Sequence, residues 1–411
     1  MAVCFAYMVY AGAFMLLLIM CAAIAGIGLL AVLRGADFRF SRFAASASAS
    51  AALALPLSAA KLAAVSAFMH SFPRDFYSLP GIPRLADMPV FFLTALFGDS
   101  APLAESNIFV SEKWVFAFHE FNFGITWVPA VLIAAGCVAW LKEIPPPAKM
   151  RGHMVAAAAA FCFIMAVPAA LNYLSPGWHG FLKSVPVIKN SSGNLRWLAV
   201  YIPVLAVLSA LALEKVFRNG AAGTAAGIFC IAAVAAISML ADRSYYLNHF
   251  YNPNAITTAY AAAKKSGAPP RINGVAAFVT NGVPVRATGR NDFLVIGKSS
   301  FLCYEPVFGY LLESFPFKTL HLGPVADVTD GALNLKNPAC FVFPAENGCF
   351  PGDHFKTGEE KKVLLFTQYR DFEFNISARQ RIANAVSMAS WILLAAGWLY
   401  VAVRKAAARG V

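Results

Sequence analysis

Long apolar runs separated by short basic connections constrain what this chain can fold into. A helix that crosses a bilayer needs about 20 mainly apolar residues, and seven runs meet this requirement: residues 3–33, 45–69, 124–141, 153–173, 195–213, 221–241 and 386–403. Charged residues make up only 13% of the 411 residues, whereas an ordinary soluble domain contains about 25%. The sequence therefore predicts an all-α polytopic bundle in a membrane.

The basic residues indicate how the chain is oriented. The net charge of +12 does not predict a nucleic-acid partner, because Lys and Arg are spread over short connections instead of forming one stripe. Short basic connections stay in the cytoplasm, and here every second connection and the C-terminal tail are basic. The predicted topology places residues 70–123, 174–194 and 242–385 outside, with the N-terminus outside, the C-terminus inside and membrane lipids as partners.

One segment is long enough to fold as a domain outside the membrane. Residues 242–385 contain the short β-rich runs INGVAAFV, NDFLVIG, ACFVF and KKVLLFTQY, separated by turn residues, and an early helix that ends at Gly267. We predict a transmembrane region at 1–241 with six helices and the outer loop 70–123. A mixed α/β extracytoplasmic domain follows at 242–385, and the last helix and basic tail occupy 386–411.

Two cysteines stand apart from the rest. Cys340 and Cys349 lie in polar sequence with Pro, Asn and Gly between them. This pattern suits a hairpin closed by a disulfide if the segment faces an oxidising compartment. Cys303 would then remain unpaired.

Lys61 and Arg74 are candidate substrate-binding residues at the outer end of the second run. Lys61 lies about 12 Å inside that end at 1.5 Å per residue, and a lysine at a helix centre costs roughly 2.5 to 3.5 kcal/mol. We expect it to face other helices or a watery cavity. Arg74 marks the outer rim beside Asp75, a candidate catalytic residue.

Further candidates follow from the outer connections. His119 and Glu120, just before the third run, suit proton transfer from an acceptor hydroxyl or divalent-ion binding; interfacial anchoring is the alternative. Arg196, with Arg74 and Lys189, suits a lipid phosphate because arginine presents a planar pair of donors; contact with lipid headgroups is the alternative.

The outer domain and the remaining motifs give weaker signals. Tyr304 and Glu305 form a polar and aromatic group suited to sugars, although such residues are common in half-buried sheets. The sequence has no glycine-rich phosphate loop, GxSxG, HExxH or CxxC motif. The histidines are scattered, so their spacing implies no metal site, and the cofactor, including a divalent metal ion, is left open.

The order of these pieces resembles the C-terminal two-thirds of bacterial GT-C-type multipass glycosyltransferase-like proteins, including the group similar to the YfhO membrane proteins. That group shows a KL…FPR helix end, a loop ending near HEY and an LR-x-x-R-F element. Here Lys61-Leu62 with 72–74 matches the first, 119–121 resembles the second, and 195–197 partly keeps the third. The resemblance covers most of residues 1–241 at the level of sequence pattern. It covers the outer domain only through the position of that domain in the chain.

The resemblance implies a function in the bacterial inner membrane. Such enzymes transfer a sugar from a polyprenyl-phosphate donor to an acceptor on the outer face, in cell-envelope glycan assembly. Their usual catalytic acid lies in a first outer loop, which would precede residue 1, so we expect a chain that lacks its N-terminal part. The alternatives are a transporter or flippase, a non-catalytic assembly partner for envelope polymers, or an inactive truncated product; the sugar and the acceptor stay open.

Overall fold

The computed structural model describes most of the chain, with gaps. The described residues are 1–35, 40–72, 78–98, 103, 106–111, 120–141, 152–189, 193–217, 220–240, 253–268, 271–276, 278–280, 283–285, 297–300 and 320–409. They divide into two compact units. Unit 1 comprises Met1–Ala54 and Phe76–Asp242, and unit 2 comprises Leu55–Asp75 and Arg243–Val411.

Helices and short strands are numbered in chain order. The helices are α1 Ala2–Tyr10, α2 Phe14–Leu33, α3 Phe40–Leu57, α4 Ala59–Ser71, α5 Met88–Phe97, α6 Trp127–Leu141, α7 Gly152–Asn172, α8 Pro176–Ser184, α9 Pro186–Lys189, α10 Tyr201–Val216, α11 Gly220–Leu240, α12 Pro253–Ser266, α13 Ala339–Val342, α14 Glu360–Thr367 and α15 Ala378–Arg409. The strands are β1 Gly274–Ala276, β2 Phe278–Thr280, β3 Val283–Val285, β4 Lys298–Ser300, β5 Gly323–Pro324, β6 Val328–Thr329, β7 Ala332–Lys336 and β8 His354–Lys356.

Five helical segments of the described chain are long and apolar enough to cross a membrane: Met15–Leu33, Gly152–Asn172, Leu195–Val216, Gly220–Leu240 and Ala378–Ala408. The third includes a 3₁₀ turn that leads into α10. None of the residues of α11 is buried, as expected for a helix surrounded by lipid. These segments are consistent with a helical membrane protein.

Three of the seven predicted runs differ from single long helices. The run at 45–69 is a broken pair, α3 and α4, bent at Ser58. The run at 124–141 forms the 15-residue α6, which is shorter than the five spans. The first run also divides at Gly12, whose φ of +73° suits glycine. Length and composition thus support five spans, or six with the broken pair, and leave the seventh a prediction.

Small residues allow close helix packing in unit 1. A Cβ built on Gly136 of α6 would lie 2.5 Å from the Cβ of Ala212 of α10. Ala212 is itself fully buried. Close approach of backbones at small residues is a common way for apolar helices to associate, and we infer that it holds α6 against α10.

Unit 2 contains small sheets packed with helices. Strand β1 pairs in parallel with β4 and antiparallel with β5, β2 and β3 form a hairpin, and β7 lies between β6 and β8 in an antiparallel sheet. A core beneath the last sheet joins Leu333, Leu335 and Phe355 to Val363 of α14. Strands and helices therefore occur together in this segment, as predicted.

Two runs that we read as β-rich are helices. ACFVF lies in α13, where Pro338 begins the helix and Asn337 Oδ1 accepts a hydrogen bond from the backbone N–H of Ala339. KKVLLFTQY lies in α14, and its buried Val363 and Thr367 are four residues apart on one helical face. End capping and helical spacing outweighed the β propensity of Val and Phe.

Candidate functional site

An aromatic cluster in unit 1 gathers the segments that carry the predicted site residues. Phe91 of α5 stacks on Phe109, with ring centroids 5.4 Å apart, and meets the edge of Phe121 at 5.8 Å. Leu195 and Leu198 complete the buried cluster. Four separate segments of the chain thereby pack into one hydrophobic core.

Backbone hydrogen bonds fix the same region. Gly81 N donates to Val110 O and Val110 N donates to Gly81 O, while Ile82 N donates to Asn172 O at 2.8 Å. A Cβ at Gly81 would lie 2.7 Å from Asn172 O. Only glycine fits this close approach without displacing the end of α7.

Glu120 and Arg196 meet because each lies next to a residue of the cluster. Phe121 and Leu195 are both buried in that cluster, and their charged neighbours Glu120 and Arg196 come within ion-pair distance of each other. Arg196 Nη2 lies 3.9 Å from Glu120 Oε1, with 70% of the arginine side chain and 32% of the glutamate side chain exposed. An exposed pair of this kind is worth about 0–1 kcal/mol, so the guanidinium remains available to a ligand.

Two buried asparagines, which sequence reasoning missed, position Arg196. Asn172 Nδ2 donates to Pro168 O and to Asn194 O, and Asn194 Nδ2 donates back to Leu171 O at 3.1 Å. Both side chains are fully buried. The sequence signal was a polar residue at the end of an apolar helix, LNYLSPG. These reciprocal hydrogen bonds of Asn172 and Asn194 form a clamp. It holds the backbone at Asn194, two residues before Arg196.

The two lysines of the connection 174–194, Lys183 and Lys189, have different surroundings. Lys183 is 7% exposed, and its Nζ donates to Lys189 O at 3.2 Å. Lys189 is exposed at the end of α9, and among the described residues its ammonium makes no hydrogen bond or ion pair. Lys183 therefore supports the local backbone, whereas Lys189 offers positive charge to solvent.

Lys61 belongs to unit 2 and is half-buried in α4. The neighbouring backbone is freed by the break at Ser58 and bound by side chains of α15. Ser387 Oγ donates to Pro56 O and accepts from Ala60 N, Gln380 Nε2 donates to Ala60 O, and Trp391 Nε1 donates to Leu57 O. Lys61 thus follows a helix break whose freed backbone groups already have partners.

The other predicted residues fall into two groups. Arg74, Asp75, His119, Tyr304, Glu305 and Cys303 lie outside the described residues. Cys340 and Cys349 are joined by a disulfide in unit 2. Within the described ranges, no group of three or more His, Cys, Asp or Glu side chains is placed to hold a metal ion.

A scan against protein-family models, a search of curated proteins and a search of solved structures each found no match to this chain. The chemistry open to the site follows from its own groups. An exposed guanidinium stands beside a carboxylate at the start of a segment that is long and apolar enough to cross a membrane. Such a pair suits an anionic head group carried on an apolar tail, because the guanidinium binds two oxygens and the carboxylate orients it.

Proposed function

We propose that this chain is a GT-C-like membrane protein that acts on a polyprenyl-phosphate-linked sugar at the periplasmic face, in cell-envelope glycan assembly. The observation that supports this proposal is the exposed Arg196–Glu120 pair at the start of the Leu195–Val216 span. A lipid phosphate needs a donor pair at the membrane surface and an apolar face for its tail. In this proposal the start of the Leu195–Val216 segment supplies both.

Each residue has a role in this proposal. Arg196 binds the phosphate in two-pronged fashion, and Glu120 orients its guanidinium. For the remaining residues the proposal rests on the sequence alone: Lys189 and Arg74 as phosphate-binding cations, and Lys61 as a neutralising charge within the helical bundle. His119, Asp75 and Glu120 are the sequence candidates for ordering the acceptor hydroxyl and taking its proton.

The sugar contacts in this proposal come from the outer domain. Tyr304 supplies an aromatic face for the sugar ring, and Glu305 accepts hydrogen bonds from its hydroxyls. Both assignments rest on the sequence. Their variants belong in the transfer assay rather than in the phosphate-binding assay.

Binding of polyprenyl phosphate tests the proposal. The full chain in lipid nanodiscs is titrated with fluorescent polyprenyl phosphate, and Arg196→Ala is expected to weaken binding about tenfold or more. Arg84→Ala is the matched control, because Arg84 is also exposed in unit 1 and also pairs with a carboxylate, Asp87, at 2.7 Å. Equal affinity of Arg196→Ala and Arg84→Ala would remove Arg196 from the site.

Transfer is measured separately from binding. Polyprenyl-phosphate sugars are supplied with membrane extracts as acceptors, and release of the lipid phosphate is followed. Glu120→Gln should lower the rate of transfer more than it lowers binding. Binding without any transfer would instead indicate an assembly partner.

A transporter or flippase is the second candidate, and one observation favours it. Broken helices with a nearby charge are typical of transporter sites, and α3 and α4 are broken at Ser58 just before Lys61. Proteoliposomes with a labelled lipid in the inner leaflet distinguish the two functions. Lipid movement that Lys61→Met abolishes would favour the flippase. The absence of lipid movement in the wild-type protein would favour transfer.

A further inference from the structure

The helix α5 is apolar along its whole length but too short to cross a membrane. It follows directly on the 3₁₀ turn Leu85–Asp87. Its sequence, MPVFFLTALF, contains no charged residue and one polar residue, Thr94. Ten residues rise about 15 Å at 1.5 Å per residue, which is half of a hydrocarbon core of about 30 Å. An apolar helix of this length is typical of a protein core, a membrane interface or a re-entrant segment.

One face of α5 packs on the protein. Met88 and Phe91 are buried in the same hydrophobic core as Leu195 and Leu198. Those two leucines open the segment Leu195–Val216, which is long and apolar enough to cross a membrane. The buried face therefore fixes α5 to the start of a candidate span.

The opposite face of the helix is exposed and also apolar. Val90 and Leu93 have 57% and 50% of their surface exposed. The exposed apolar residues are spaced by three and four positions, which places them on one side of the helix; this exposed stripe consists of Ala86, Pro89, Val90 and Leu93. A helix at the surface of a water-soluble protein carries polar residues on that side. The stripe therefore suits an apolar medium instead of water.

Both ends of the helix carry groups that are typical of a membrane–water boundary. At its start the exposed Arg84 pairs with Asp87, with 2.7 Å between Nε and Oδ2. At its end Phe97 stacks on Trp127, with ring centroids 5.5 Å apart, and Trp127 is the half-exposed first residue of α6. Tryptophan is enriched at membrane interfaces, and arginine near an apolar segment keeps its charge at the head groups.

The chemistry of the exposed stripe favours lipid acyl chains as its partner. A helix that lies in a membrane interface normally turns a polar face to water and an apolar face to the lipid. In α5 the protein core occupies the place of the water. The stripe offers no hydrogen-bonding side chain that would distinguish one protein partner from another, and the helix is attached to a segment suited to a bilayer.

We propose that α5 is a half-inserted helix whose exposed stripe contacts the acyl chains of one leaflet. Leu93 lies six residues beyond Asp87, or about 9 Å along the axis, so it stays on one side of a bilayer midplane that is about 15 Å deep. The proposal uses neither Arg196 nor Glu120 and requires no lipid-linked sugar. Failure of one proposal therefore leaves the other standing.

Quenching by spin-labelled lipids tests the proposal. Every cysteine outside the Cys340–Cys349 disulfide is replaced by alanine, and Val90→Cys or Leu93→Cys then carries an NBD fluorophore on the full chain in nanodiscs. Lipids carry a doxyl group either near the head group or near the methyl end of an acyl chain. We expect the Val90 label to be quenched more by the shallow doxyl group than by the deep one.

Two exposed positions calibrate the quenching. Lys361→Cys on the short helix α14 of unit 2 is the aqueous control, and quenching at Val90 should exceed its quenching about threefold or more. Phe229→Cys, near the middle of α11, is the lipid control and should be quenched more by the deep doxyl group. Blue-shifted emission at Val90 without doxyl quenching would show that protein, such as a second copy of this chain, covers the stripe. Red-shifted emission that iodide quenches would show water. Either result would overturn the proposal.

A charged substitution gives a second readout that needs no label. Val90→Asp puts a carboxylate into the acyl chains and is expected to lower the thermal midpoint in nanodiscs by about 3 °C or more. Leu364→Asp is the matched control, because Leu364 is also an exposed apolar residue on a short helix, α14, and exposure to water makes its substitution nearly neutral. Equal midpoints in the two variants would place the stripe in water and overturn the proposal.

Discussion

Asn194 shows how a single buried side chain can fix the position of an exposed charged residue. Its Nδ2 donates to Leu171 O, and its own carbonyl accepts from Asn172 Nδ2. The sequence predicts Arg196 and Glu120 as site residues but does not predict that they form a pair. Their pairing depends on the fold that brings Phe121 and Leu195 into one buried cluster, and no local sequence pattern encodes that approach.

Removal of this clamp is expected to destabilise unit 1. Asn194→Ala leaves Leu171 O without its side-chain donor in a buried site, which costs about 1–3 kcal/mol. The thermal midpoint in nanodiscs should fall, and the affinity for polyprenyl phosphate should fall with it. Asn122→Ala is the control, because Asn122 is exposed and its side chain bonds only Gly124 N among the described residues. A drop of equal size in both variants would argue against the clamp.

His354 predicts a pH dependence of stability. Desolvation lowers its folded-state pKa, and Lys336 and His321 act in the same direction, against the Leu333 carbonyl and Asp353. The unfolded state therefore binds the proton more tightly, so this contribution is complete above the ordinary pKa of about 6.5 and is lost as the pH falls below it.

The melting midpoint at pH 7.5 and at pH 5.5 measures this effect. Wild-type protein should lose more stability on acidification than His354→Gln, which has no proton to bind at this position. Equal losses in the two proteins would mean that His354 titrates normally in the folded chain.

At the scale of elements, the sequence predicted which segments are helical better than where they break. Pro56 stands in the α3 sequence, but proline is tolerated within many apolar helices when neighbours satisfy the freed backbone groups. Here those neighbours come from α15, and Ser387 lies 327 residues from Ala60. No local pattern contains that information.

Ser387 is expected to stabilise the break in α3–α4. Ser387→Ala removes one donor to Pro56 O and one acceptor from Ala60 N, at a cost of about 1–3 kcal/mol. Ser390→Ala is matched in chemistry and lies one turn later in α15, where the described residues offer its hydroxyl no hydrogen bond. Unfolding, monitored by tryptophan fluorescence, should have a lower midpoint in Ser387→Ala than in Ser390→Ala. Coincident unfolding curves would show that the break is stable without Ser387.

At the scale of the whole molecule, the disulfide provides a test of the predicted topology. Disulfides persist on the oxidising side of the membrane, so unit 2 residues 340–349 are expected to face outward and the basic tail inward. In a variant that retains only Cys340 and Cys349, an impermeant maleimide should label intact spheroplasts only after reduction.

Labelling of the tail supplies the opposite control. A cysteine placed at Ala407 should react only after the membrane is permeabilised. Labelling of Ala407→Cys in intact spheroplasts, or of 340 and 349 only after lysis, would reverse the orientation.

The length of α15 has a consequence for the membrane itself. Its candidate span of 31 residues extends about 46 Å, so its ends, which carry Arg379, Arg381, Arg404 and Lys405, reach beyond a hydrocarbon core of about 30 Å. A thinner bilayer tilts such a helix. Because Ser387 and Trp391 of α15 hold the backbone at 56–60, that tilt would carry the start of α4 and Lys61 with it, and bilayer thickness would set the position of a charge.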